Sequence, residues 1–136
     1  MLKLVMALSV LSLSACSIFA EPRSWNFVQA VGGLSIGTPF HIEGGWVLPV
    51  HGDVTGLQTI TVKPTTLNSG LACKKTAAEV VGNEIYLTII TSLAGKDSGA
   101  LCPPAFLGQL HSGKYAVFYR GPNELAIKLG EVSIEL

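Results

Sequence analysis

Glu84-Ile85-Tyr86-Leu87-Thr88-Ile89-Ile90-Thr91-Ser92-Leu93 reads as a β-strand, and its two faces say where such a strand belongs. Side chains alternate across a pleated strand, so Ile85, Leu87 and Ile89 share one face while Tyr86, Thr88 and Ile90 share the other. Both faces are partly apolar, which suits a central strand covered on two sides. Downstream, residues 114–120 set Tyr115, Val117 and Tyr119 against Lys114, Ala116, Phe118 and Arg120 with the same period. Leu125, Ile127 and Leu129 form a further strand face. Beyond Gly130, Val132, Ile134 and Leu136 form another, separated by Glu131, Ser133 and Glu135.

Upstream the signals are shorter. Residues 25–31 are expected to form a first strand that stops at Gly32-Gly33. Residues 38–43 and 46–51 flank Gly44-Gly45, a pair suited to a tight hairpin because glycine tolerates positive φ. Residues 59–63 alternate Thr59, Thr61 and Lys63 against Ile60 and Val62, and end at Pro64. Residues 72–81 read two ways: Ala77-Ala78-Glu79 fits a helical turn, whereas the flanks fit a strand. No long stretch carries apolar residues at helical spacing, and there is no internal repeat. Seven or eight short strands over about 110 residues, with turn signals about every 8–12, predict an all-β antiparallel sandwich occupying residues 25–136.

One corner sharpens that expectation. Leu110-His111-Ser112-Gly113-Lys114-Tyr115, running into Ala116-Val117-Phe118-Tyr119, resembles the Leu-x-x-Gly-x-Tyr lead-in to a late strand of immunoglobulin-like and fibronectin-type-III-like domains. The resemblance implies that the leucine plugs the core, the glycine makes the turn and the tyrosine hydroxyl bonds back to the backbone. A glycine turn leading into any β-strand would look the same.

The first sixteen residues carry a different message. Met1–Lys3 is a minimal basic start, residues 4–13 are mostly apolar, and Ser14 and Ala15 are small. The stretch is too short for a permanent membrane helix, which needs roughly 20 residues, and has the layout of a cleaved export signal over residues 1–15. Leu13-Ser14-Ala15-Cys16 resembles the lipobox of bacterial lipoproteins, which a dedicated peptidase cuts just before the cysteine. That resemblance implies that Cys16 carries a diacylglyceryl thioether and an amide-linked acyl chain, and that residues 16–24 tether the domain to a bilayer. Ser17, where an Asp would signal inner-membrane retention, implies sorting to the outer membrane, on its periplasmic face. An ordinary signal cut after Ala20 is the competing reading.

The chain has three cysteines, and a lipidated Cys16 leaves Cys73 and Cys102 to pair. Their disulfide would close a loop of about 28 residues, worth roughly 3–4 kcal/mol in the chain-entropy model. With no Cys-x-x-Cys pair, a redox site is not expected.

Charge is sparse: Asp, Glu, Lys and Arg make up 13% of the chain, against about a quarter in an average protein. With Lys3 in the leader, the remaining basic residues are one fewer than the acidic ones. No basic stripe supports nucleic-acid binding, no basic patch is seen to add to membrane affinity, and Lys74-Lys75 reads as a solvated surface pair beside the expected disulfide.

Other motifs carry little chemistry. His41, Glu43, His51 and Asp53 are potential metal ligands, but a Gly44-Gly45 turn would set Glu43 opposite Trp46 and His41 opposite Leu48. His51 would then lie about 10 Å farther along, too far to share an ion. His41 and His51 stay as weak candidates, with His111 a surface residue. Gly108-Gln109-Leu110-His111-Ser112-Gly113-Lys114 matches the opening of a phosphate-binding loop, yet Tyr115 stands where Ser or Thr would hold magnesium, and a strand follows. No nucleophile elbow or carboxylate pair suggests an enzyme, and no cofactor is implied. Of the aromatic residues, Trp25, Tyr86, Phe106, Tyr115, Phe118 and Tyr119 are expected in or near the core. Trp46, beside a turn, is expected in the core as well, with projection from the rim for partner contact as the alternative.

The expected function is thus non-catalytic: an outer-membrane lipoprotein that binds another envelope protein as an accessory or assembly component. The alternatives are an inhibitor that blocks an envelope protein through a loop such as residues 92–104, and a periplasmic metal-binding protein using His41 and His51.

Overall fold

The computed structural model describes residues 20–30, 33–52, 71–93 and 102–136. These form ten strands and one short helix: β1 (Glu21–Pro22), α1 (Trp25–Ala30), β2 (Leu34–Ile36), β3 (Phe40–Ile42), β4 (Gly45–Leu48), β5 (Val50–Gly52), β6 (Leu71–Val81), β7 (Glu84–Leu93), β8 (Ala105–Gly108), β9 (Gly113–Tyr119) and β10 (Ile127–Ile134). The chain is an all-β sandwich. It has more strands than the seven or eight expected, because several are only two or three residues long. The leader, Cys16, Asp53 and the expected strand at 59–63 lie outside the described residues.

β7 is the axis of the main sheet. β6 pairs with it along its whole length, from Leu71↔Leu93 to Val81↔Glu84, so the ambiguous stretch is a strand. On its other edge β7 meets two partners in succession. β9 takes the first half, Glu84↔Ala116 through Leu87↔Tyr119, and β1 takes the second, at Ile90 and Thr91. β10 pairs outside β9. The β7–β9 pair runs parallel, whereas every other pair among the described residues is antiparallel. As its composition predicts, β7 buries Ile85, Leu87 and Ile89 and half-buries Tyr86, Thr88 and Ile90.

The second layer is built on β4 and β5, which follow one another across Pro49. Proline has no N–H for a ladder, and pairing changes partners there: β4 lies between β3 and β8, whereas β5 pairs with β2. The two layers enclose Trp46, Leu48, Val50, Leu34, Ala105 and Leu107 on one side. Ile85, Leu87, Ile89, Tyr115, Val117, Tyr119, Val132 and Ile134 face them from the other.

Three local expectations are corrected. Residues 25–30 form a helix, not a strand. Ser24 and Glu124 cap it: the Phe27 N–H donates to Ser24 Oγ (3.3 Å) and the Trp25 N–H to Glu124 Oε2 (2.7 Å). Trp25 and Val28, three apart, pack on the core, and the Gly33 N–H closes the far end on the Val28 carbonyl at 2.8 Å. The last two expected strands are one, β10, which passes through Gly130 with a bulge that leaves Leu129 out of register. Leu125 precedes that strand and is 91% exposed. Glu21 and Pro22, expected in the tether, belong to the sheet as β1.

The Leu110–Tyr115 corner has the geometry its resemblance implies. Leu110 and Tyr115 are buried, and the Tyr115 hydroxyl donates to the His111 carbonyl at 2.9 Å. A second buried tyrosine ties the N-terminal segment down. Tyr119 Oη donates to the Arg23 carbonyl (2.6 Å) and accepts from the Ile89 N–H (3.3 Å), while burial pushes its hydroxyl above the ordinary tyrosine range.

Candidate interaction surface

The β3–β4–β8 sheet places its side chains through the hairpin, whose register differs from the expected one. The turn is Glu43–Gly44, and Ile42 pairs with Gly45, His41 with Trp46 and Phe40 with Val47. Gly45 is drawn into the strand because β8 closes on it: a Cβ there would stand 2.6 Å from the Gly108 carbonyl, so only glycine fits. The Gln109 side chain donates to the Gly44 carbonyl at 3.2 Å and holds the turn against the end of β8.

Of two aromatic expectations, one holds and one is reversed. Trp46 is 9% exposed and belongs to the core, so it does not project toward a partner. Its strand is buried throughout because β3 and β8 flank it on both edges. His41 rests against its ring, edge to face, with centroids 5.3 Å apart. Phe106, expected in the core, points the other way and is 56% exposed, while its neighbours Ala105 and Leu107 point inward.

The outer face of this sheet is therefore apolar. Phe40, Val47 and Phe106 are cross-strand partners in one row. Val47 is buried between the other two, and Ile42 extends the row along β3. Phe40, Ile42 and Phe106 remain exposed, and among the described residues the row itself contains no charged member. Exposed apolar side chains that cluster, unlike scattered ones, mark surfaces that another molecule covers. β3 adds a second feature. Among the described residues it hydrogen-bonds only to β4, so its outer edge offers free N–H and C=O groups to an incoming strand.

The outer face of the main sheet is of a different kind. Tyr86 and Phe118 stack there with centroids 5.4 Å apart, and the Arg120 guanidinium lies 4.1 Å from the centre of the Tyr86 ring. Arg120 also pairs with Glu79 at 2.6 Å, and the Tyr86 hydroxyl donates to the Glu84 carboxylate, which raises the hydroxyl above its ordinary range. These groups satisfy one another. The face is a closed network, whereas Phe40 and Phe106 of the other row stay exposed.

The remaining candidates are dispersed. His41 sits on β3 and His51 on β5, in different sheets, and no three His, Cys, Asp or Glu side chains gather among the described residues. His111 is exposed in the corner before β9. Most of the expected inhibitory loop, residues 94–101, lies outside the described residues. Cys73 and Cys102 form a disulfide with Cα atoms 5.1 Å apart. Phe40 was legible only as an apolar residue of an expected strand and Phe106 only as one of the aromatic residues, because a sequence does not say which face of a strand meets the core.

Comparison of the chain with protein-family models, curated proteins and solved structures finds no match.

Proposed function

We propose that this protein is a periplasmic lipoprotein anchored to the outer membrane through Cys16. Its immunoglobulin-like sandwich binds another envelope protein and catalyses no reaction. The lipobox-like Leu13-Ser14-Ala15-Cys16 supports the anchor. The Cys73–Cys102 disulfide suits an oxidising compartment. The tyrosine bond at the Leu110–Tyr115 corner supports the immunoglobulin-like reading, while the parallel β7–β9 pair departs from the antiparallel sheets of that fold. The anchor confines the domain to a surface and raises its effective concentration toward partners held there.

The observation that carries binding is the row in which exposed Phe40 and Phe106 flank buried Val47, beside the open edge of β3. A partner would lay an extended apolar segment on this face, with backbone bonds from β3 supplying affinity and the phenylalanines selecting side chains. In cells, a photo-crosslinking residue at Phe106 or Phe40 should capture one discrete protein, and one at Lys128 on the main sheet should not. Replacing Phe40 and Phe106 together by serine should reduce the crosslink formed from Ile42 by about tenfold or more, as expected of central aromatic anchors. Equal capture from Lys128, or an unaltered crosslink in the double variant, contradicts this assignment.

A further inference from the structure

We infer that the pole of the main sheet carrying β1 is a docking surface for an anionic lipid bilayer, with Lys74, Lys75 and Leu93 against the headgroups. The inference rests on the reading of Cys16 as the lipid anchor and adds an orientation to it.

The first support is the length of chain between anchor and fold. β1 begins at Glu21, so four residues, or five chain steps spanning at most about 18 Å, separate the acylated cysteine from the sheet. The sheet end of that tether is fixed. Glu21 and Pro22 pair with Thr91 and Ile90, and the Arg23 N–H donates to the Ile89 carbonyl at 3.1 Å. Arg23 Nε reaches Thr91 Oγ1 at 2.8 Å, and Tyr119 holds the Arg23 carbonyl. Because β1 runs antiparallel to β7, the chain enters β1 at the side nearer the Leu93 end of β7. That end faces the bilayer.

The second support is what stands there. Thr91 pairs with Glu21 on one side and Cys73 on the other, and Ile90 likewise joins Pro22 to Lys75. Lys74 is the extra residue of the β6 bulge between those two rows. Adjacent strands lie about 4.8 Å apart, which puts Lys75 about 10 Å across the sheet from β1. Leu93, at the end of β7, is 56% exposed.

Charge separates these lysines from three other cations on or beside the sheet, Arg120, Lys128 and Arg23. Glu79 pairs with Arg120 at 2.6 Å and Glu131 with Lys128 at 3.0 Å. Arg23, beside β1, is neutralised by Glu21 at 3.3 Å. Lys74 and Lys75 are exposed, with no carboxylate in ion-pair reach among the described residues. Two lysines held within a Debye length of an anionic surface favour the docked orientation by about an order of magnitude or more. Without the short tether they would be too few to bind a membrane.

The test uses the full, acylated protein in vesicles of phosphatidylcholine alone or mixed with phosphatidylglycerol. A membrane-impermeant amine-acylating reagent is added, and modification of each lysine is read by mass spectrometry against the same protein in neutral detergent. In mixed vesicles Lys74 and Lys75 should react about threefold or more slower than in detergent, while Lys114 and Lys128 keep their rates, and high salt should remove the difference. If Lys74 and Lys75 react as fast as in detergent while the protein floats with the vesicles, the docking surface is wrong and the anchor stands. Protection of equal size on phosphatidylcholine alone also overturns it. A protein that does not float and carries no acyl mass on Cys16 overturns anchor and orientation together.

Discussion

Replacing Cys73 and Cys102 together by serine is expected to lower the unfolding free energy by about 3–4 kcal/mol, the value of a closed loop of this length in the chain-entropy model. The bridge joins two layers. Cys73 lies in β6, at the edge of the main sheet, and Cys102 precedes β8 of the second layer. Beside the bridge, the buried Thr76 hydroxyl donates to the Pro103 carbonyl at 2.7 Å, so the covalent and hydrogen-bonded links fix the same approach. Urea denaturation of the oxidised protein and the double variant measures the difference. The variant's unfolded chain, freed of the loop, should also expose more surface and steepen the dependence on urea. Equal stability of the two proteins would mean that the bridge does not form in solution.

Leu87→Ala should cost about 2–5 kcal/mol, the range for emptying a packed core site. Leu87 is fully buried at the midpoint of the main sheet, where its strand pairs with Ala78 of β6 and Tyr119 of β9. Both neighbours are held by sheet hydrogen bonds, which limits how far the cavity can collapse. Leu125→Ala is the contrast: that side chain is 91% exposed, and its loss should stay within about 0.5 kcal/mol. Denaturant midpoints of the two variants check both values. A comparable loss from both would mean that β10 and the segment before it pack differently from the arrangement described.

The two central strands were legible almost to their ends because their alternation is long and both faces have a defined character. β7 spans the residues that its pattern marks, and β9 buries Tyr115, Val117 and Tyr119 as expected. Shorter elements were not. In six residues, Trp25-Asn26-Phe27-Val28-Gln29-Ala30 satisfies both periods, and the choice of helix falls to the caps from Ser24 and the distant Glu124. The bulge at Leu129 leaves no mark in the pattern, because it depends on β9 alongside. The hairpin register turned on Gly45, whose missing side chain serves the approach of β8 and not the turn. The outward turn of Phe106 has the same origin. Alternation says that Trp46 and Val47 face opposite ways, but only the second layer says which way is inward. The surface proposed to meet a partner was therefore the least readable part of the chain.

The proposed lipid on Cys16 carries the reading of where this domain works, and mass spectrometry of the mature N-terminus tests it most directly. In cells given an alkyne-tagged palmitate, the protein should begin at Cys16, carry the tag there and sediment with membranes. Cys16→Ala should abolish the tag and the sedimentation. A mature chain that begins after Ala20, or that begins at Cys16 without acyl mass, would contradict the account.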